Sequence, residues 1–366
     1  MKVFGIGCVY FGFIQTNEDD PSEFYNQNIY FETLKRLLEE IENISEVRFY
    51  NTNYDEYGAF ISIEHNDKEI TVPVSRNDTR IQFDAFIPFR VQEQLISRCD
   101  VETMHIDITY GYEMPLIVVS YDWPDEEGDA QPSMAVAVLR KFLEKKMSGT
   151  DLICGSVGPS PFHANFSMIE SELTEIPSIE DTSENYLGYA NFELNSSSDS
   201  NLMETIRSLN LDTIFSAFYH LSELRSRAIN AQYIILENSR NLLEGKNPNN
   251  LMNKIRAFRS QSESVDHLNS NIFKEMLLRL NITQALADSD RQEITGVNSK
   301  MNRFFDEYRS IAAEETWQRF SSVANFFEER RQKMIGNAAA IAAGIVGGVI
   351  GSVIGSVATY LLTRVG

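Results

Sequence analysis

The run Gly158-Pro159-Ser160-Pro161-Phe162-His163 is the most distinctive loop in the first half of this chain. Its two prolines fix φ and its glycine admits a turn, so the backbone between strand-like flanks is stiff. Such a loop can present a hydroxyl and an imidazole to a ligand, which makes Ser160 and His163 the candidate ligand-binding residues. Three positions of separation do not by themselves put a hydroxyl on an imidazole, and no Gly-x-Ser-x-Gly elbow occurs in the chain. A structural turn is the plain alternative.

Other groupings are weaker. Gly5, Gly7 and Gly12 miss the phosphate-binding glycine pattern, because its third glycine falls on Tyr10. Asp122, Asp125, Glu126, Glu127 and Asp129 surround Trp123 and Pro124 and offer the oxygens a hard cation takes. Their spacing does not fit an EF-hand loop, and a solvated acidic hairpin accounts for them. His65 stands in a turn, His105 in a strand pattern, and His220 and His267 on different helices without an i, i+4 partner. Cys8, Cys99 and Cys154 form no CxxC pair and read as reduced structural thiols. No metal site, catalytic residue or cofactor is assigned, which argues against an enzyme.

A different kind of chemistry marks the last thirty residues. From Met334 to Thr363 there is no charged side chain, and Arg330, Arg331 and Lys333 stand just before. A bilayer core of about 30 Å needs roughly 20 helical residues, so Ala338 to Leu362 suffices for one crossing. Basic flanks stay in the cytoplasm, which predicts a cytosolic body and a bacterial inner-membrane location.

Within this span Ala339, Ala343, Gly347, Gly351 and Gly355 recur every four residues, and Ala340, Gly344, Gly348, Ser352 and Ser356 form a second such series. Bulky Val346, Val349, Ile350, Val353, Ile354 and Val357 fall largely on the opposite side of a 100° wheel. Small residues let helix backbones approach closely in lipid. Ala343, Gly344, Gly347, Gly348, Gly351 and Gly355 are therefore the expected membrane-helix association residues, in a glycine-zipper-like self-associating anchor.

Composition bounds the rest. A chain of 366 residues with 43% hydrophobic and 11% aromatic content can bury a sizeable core in two or three domains. Residues 1–200 carry 13 Lys and Arg against 36 Asp and Glu, net −23; the remainder carries 19 against 17, net +2, giving −21 in all. An acidic first half repels a phosphate backbone, so no nucleic-acid partner is expected. A protein or small-molecule trigger suits the acidic domain better. Lys254, Arg256 and Arg259 make a small basic face on a later helix.

These residues are positioned by a legible series of elements. Val3 to Ile14 reads as a strand rather than a secretory signal, and Ile29 to Ile44 as an amphipathic helix. Val47–Asn51, Ala59–Glu64, Ile70–Val74 and Ile81–Phe86 read as four strands in a meander, followed by a short helix over Pro88–Ser97. Strands over Val101–Tyr110 and Leu116–Tyr121, a helix over Met134–Met147 and a strand over Leu152–Val157 complete the pattern. Residues 170–200 turn acidic and polar. Beyond them Met203 to Leu243, then Leu251 to Leu286, then a third segment through Met301, Phe305, Tyr308, Phe320, Val323 and Phe327 read as long helices.

The expected fold class is an α+β cytosolic domain (1–175), mostly antiparallel sheet with flanking helices, then a polar linker (176–200). A three-helix stalk (201–335) and one transmembrane helix (336–366) follow. This layout resembles the CorA-type divalent-cation channels, in which an acidic α/β cytosolic domain leads through long helices into a membrane span. The resemblance is one of arrangement: the Gly-Met-Asn motif of that family is absent here.

The functional expectation is an oligomeric membrane effector. Its acidic domain senses a signal and its small-residue spans assemble to conduct across or perturb the membrane, as in a bacterial stress or antiviral response. The alternative is a tail-anchored enzyme or adaptor whose span only localises and dimerises it.

Overall fold

The computed structural model describes residues 1–14, 26–51, 59–65, 68–74, 79–111, 113–124, 130–158, 164–170, 177–182, 191–197, 201–244 and 251–289, with 305, 306, 325, 329 and 332. Among these the fold is α+β, with twelve strands, a mixed sheet and six helices. The chain divides into two compact units, Met1–Arg227 with Asn281–Ala313, and Ala228–Leu280 with Glu314–Gly366.

The first unit is built on eight strands: β1 (Lys2–Cys8), β3 (Ile44–Tyr50), β6 (Thr79–Phe86), β7 (Thr103–Tyr110), β8 (Leu116–Asp122), β10 (Asn165–Glu170), β11 (Ser178–Asp181) and β12 (Asn191–Ser196). Their order is β11-β12-β10-β1-β8-β7-β6-β3. β10 and β12 pair in parallel and all other neighbours are antiparallel. A second, antiparallel sheet runs β4-β5-β2-β9, from β2 (Tyr10–Ile14), β4 (Ala59–His65), β5 (Lys68–Val74) and β9 (Ile153–Gly155).

Helices α1 (Gln27–Glu39), α2 (Phe89–Leu95) and α3 (Pro132–Lys146) accompany these sheets. The Asn26 side chain caps α1 by accepting from the amides of Asn28 and Ile29. Proline opens α3, where its missing N–H is harmless. The apolar face of α1 meets the large sheet through Tyr30 and Phe31. The Tyr30 and Tyr110 hydroxyls lie 3.0 Å apart, and the Phe31 and Tyr110 rings meet edge-on at 5.2 Å.

Helix α3 lies directly on β1. A Cβ added at Gly5 would stand 2.6 Å from the Pro132 carbonyl oxygen, and one at Gly7 2.5 Å from Val136. Side chains at either position are excluded by sterics, and their absence lets helix and strand touch. On the opposite face of the large sheet, Phe4, Phe166 and Phe192 stack across β1, β10 and β12, with centroids 4.9 and 5.4 Å apart. Phe215, from helix α5 (Leu211–Glu244), meets Phe166 at 6.1 Å, and Phe305 meets Phe215 at 5.7 Å.

Several expectations are corrected. The apolar run Val3 to Ile14 is two strands in different sheets, with fully buried Val9 between them; a uniformly apolar run has no punctuation to show the change. The four-strand meander is not continuous: β3 pairs directly with β6, while β4 and β5 form a hairpin in the smaller sheet. The stretch read as a polar linker contains β11 and β12, where Phe192 and Leu194 alternate inward from polar neighbours. The long helix from Met203 is two helices, α4 (Leu202–Ser208) and α5, separated at Asn210, whose φ of 62° is left-handed. Asparagine tolerates that conformation better than most residues.

Helix α6 (Leu251–Ser289) follows α5. In the second unit Ala228 and Ile235 of α5 are buried, as are Val265, Leu268 and Ile272 of α6. Glu275, fully buried, accepts from Gln232 Nε2 at 3.2 Å and Arg279 Nε at 2.9 Å. No described helix is long and apolar enough to cross a membrane, and the tail 336–366 lies outside the described residues.

Gly5→Ala is expected to destabilise the fold by about 1–3 kcal/mol, because the methyl group must push helix backbone away from β1. Urea unfolding of the variant beside wild type checks this, and an unchanged midpoint would contradict it.

Candidate functional site

Strand alternation places Arg80, Gln82 and Asp84 of β6 on one sheet face with His105, Asp107 and Thr109 of β7. The register then sets Asp84 beside His105, and His105 beside Ser120 of β8. Farther along the same face, β1 and β10 present the phenylalanines that pack under α5. One face of a single sheet is thus apolar on one side of β8 and polar on the other.

The polar half is a connected network. Arg80 Nε donates to Asp107 Oδ1 at 2.6 Å, and Asp107 is only 3% exposed. Asp107 Oδ2 lies 3.6 Å from His105 Nε2, and His105 Nδ1 is 2.7 Å from Asp84 Oδ1. The imidazole is therefore held between two carboxylates, one buried and one half-exposed, with the guanidinium neutralising the buried one. Arg80 also stands over the Tyr50 ring at 5.9 Å.

An open groove of about 650 Å³ borders this network, lined by Asp84, Phe86, Phe89, Glu102, His105, Ser120, Tyr121 and Asp122 among others. The segments that carry its lining are tied together. Buried Gln92 donates to the carbonyls of Ile87 and Val101 and accepts from the Cys99 amide, so one side chain ties α2 to the loop behind it. Glu102 accepts from the Phe89 amide at the start of α2. Tyr121 donates to Asp100, and burial pushes its phenol well up, so it remains a neutral donor.

Asp84, His105 and Ser120 are the residue types of a nucleophilic triad in consecutive strand positions, yet they do not form one. The His105 Nε2 points to Asp107, and Ser120 Oγ is buried without a hydrogen-bond partner. The arrangement suits binding: a cationic group can meet Asp84, Glu102 and Asp122, and an apolar part Phe86 and Phe89.

A second cluster is buried around β1, β2 and β9. Desolvation pushes the Cys8 thiol up to about 12, and Cys154 and Tyr10 are raised for the same reason. Cys99 is raised by burial as well. All three cysteines are free and buried, as expected of structural thiols, and none has the lowered pKa that a nucleophile needs. His220 is lowered by desolvation and by Arg227, and stays neutral at pH 7. Arg227 donates to the Ser62 carbonyl at 3.0 Å and reaches Glu223 at 3.7 Å, tying α5 to β4.

Ser160 and His163 lie outside the described residues; their neighbour Gly158 has a φ of 53°, and its carbonyl accepts from Arg140 at 2.6 Å. Arg330, Arg331, Lys333, Ala343, Gly344, Gly347, Gly348, Gly351 and Gly355 also lie outside them. Of the acidic run, Asp122 lines the groove and 125–129 are outside. Sequence reasoning placed His105 in its strand but missed Asp84, Asp107 and Arg80 as its partners. The signal present was the alternation of His105, Asp107 and Thr109, which names a face but not what lies across it. No three or more metal-ligating side chains converge among the described residues.

Comparisons with protein-family models, curated proteins and solved structures gave no match.

Asp107→Ala leaves the mostly buried Arg80 guanidinium uncompensated and is expected to cost about 3 kcal/mol or more, whereas Asp84→Ala, at a half-exposed pair, should cost under about 1 kcal/mol. Equal losses in urea unfolding would contradict this ranking. The thiols give a pH signature. An ordinary thiol titrates at 9.0 while folded Cys8 holds its proton to about 12, so between these values the folded state binds more protons and stability falls as pH rises. Unfolding midpoints taken from pH 8 to 11 should decline, and Cys8→Ala should flatten the slope.

Proposed function

We propose that this chain is an oligomeric membrane-anchored effector whose first unit senses a ligand and whose C-terminal segment assembles in the membrane to conduct across it or permeabilise it. The observation that carries this reading is the uncharged stretch from Met334 to Thr363, with its two series of small residues and the basic Arg330, Arg331 and Lys333 before it. A helix with one smooth and one bulky face packs against copies of itself more closely than a plain anchor requires.

The groove beside His105 supports the sensing half of the proposal. Its acidic lining and aromatic rim suit a trigger with a positive charge and an apolar part, either a small molecule or a basic protein segment. The net charge of −23 over residues 1–200 draws such a ligand in and repels nucleic acid. On this reading the body is cytoplasmic, the anchor sits in a bacterial inner membrane, and the setting is a stress or antiviral response.

In bacteria expressing the intact chain, a voltage-sensitive dye should report depolarisation. A Gly347→Leu, Gly351→Leu, Gly355→Leu variant, expressed to the same level and still in the membrane, should not depolarise. If neither chain depolarises the cells, with or without applied stress, the tail is only an anchor and the effector proposal fails.

A further inference from the structure

Helices α5 and α6 expose large apolar side chains where they form the second unit. On α5, Ile229, Tyr233 and Leu236 are 55%, 67% and 61% exposed; on α6, Phe273, Met276, Leu277 and Leu280 are 61%, 41%, 45% and 64% exposed. Each set follows helical spacing, i, i+4, i+7 on α5 and i, i+3, i+4, i+7 on α6, so each is a stripe.

The two stripes lie on one side of the hairpin. Gln232 meets Glu275, and the helices are joined through 245–250. A parallel arrangement would separate Glu244 from Leu251 by roughly 50 Å at 1.5 Å per residue, more than about 25 Å of connecting chain can span. The helices are therefore antiparallel. On a 100° wheel both stripes centre roughly 130° round in the same sense from the seam formed by Ile235, Leu268 and Glu275. In antiparallel helices the same sense of rotation leads to the same side.

We propose that this face is a self-association surface on which a second copy of the chain docks, separate from the C-terminal tail and independent of any membrane role. Its size fits. At roughly 200 Å² per large apolar residue, of which these are 41–67% exposed, the seven side chains offer about 800 Å², the share of one partner in a standard interface. Its charge fits too. The chain from 201 onward is close to neutral at +2, and Glu237, Arg240 and Lys274 near the stripes mix both signs, so two copies do not repel there as their −23 halves would. Antiparallel stripes of similar length make a patch that can meet itself about a two-fold axis, as a symmetric dimer requires. Glu275, tied to Gln232 and Arg279 inside the hairpin, resists slippage of the seam and so keeps the stripes aligned.

The test is sedimentation velocity on the full chain, in detergent where extraction needs it. Four proteins are compared: wild type, the Gly347→Leu, Gly351→Leu, Gly355→Leu tail variant, Tyr233→Glu with Leu277→Glu, and the two sets combined. The tail variant should still sediment at twice the 41.7 kDa chain mass or more, and the combined variant as a monomer, with dimer association at least tenfold weaker. A monomeric tail variant, or a combined variant that stays dimeric, would overturn the proposal. Because the substituted positions are exposed, circular dichroism should match wild type. A Leu236→Cys chain, cross-linked by a short bismaleimide to double mass in the tail-variant background, gives a second reading without added charge; no cross-link there counts against the surface.

Discussion

Strand β1 has no side chain at Gly5 or Gly7, and Val136 of α3 occupies the space that they leave. Because the strand sits between β8 and β10 in the middle of the large sheet, its two faces are set by this contact. One takes the helix at backbone distance, while the other carries Phe4 into a stack with Phe166 and Phe192. Side chains that cannot pack on the glycine face are supplied by α1, whose Tyr30 and Phe31 close on Tyr110. Dispersion between these rings and the removal of their area from water give the first unit its core.

The aromatic stack covers only part of its sheet face, and the candidate site occupies the rest. Past β8, positions that would otherwise be apolar hold Arg80, Asp84, His105 and Asp107. A carboxylate as buried as Asp107 is stable only with its charge compensated, so Arg80 is fixed by Asp107, and His105 by the two carboxylates beside it. The groove inherits rigidity from this network and from the Gln92 hydrogen bonds behind it. Its chemistry is that of a binding surface, since the hydroxyl in the row, on Ser120, has no base in contact.

The hairpin of α5 and α6 obeys a different balance. Two helices bury one seam between them and leave the rest of each circumference to other partners. Where those residues are polar, the helix is at rest in water; where they are Tyr233, Leu236, Phe273 and Leu280, more than half of each is left in water. The helices are 34 and 39 residues long, and the stripes lie on the parts of them that belong to the second unit.

Much of the secondary structure was legible in the sequence. Alternating and continuously apolar runs marked β3 through β8 to within a few residues, the Gly-, Asn- and Pro-containing stretch 245–250 separated the long helices, and the acidic and near-neutral halves were plain in the charge count. The exceptions have local causes. Phe192 and Leu194 are too few to outweigh the polar residues around them, and Asn210 breaks a helix without proline or glycine. The site was not legible, for a reason of distance. Asp84 is 21 residues from His105, and Arg80 is 27 from Asp107. A period of two tells which face of a strand a side chain takes, because the pleat is local; which strand lies beside it depends on loop closure and on the packing of Gly5, Gly7 and the aromatic stack, which only the folded chain brings together.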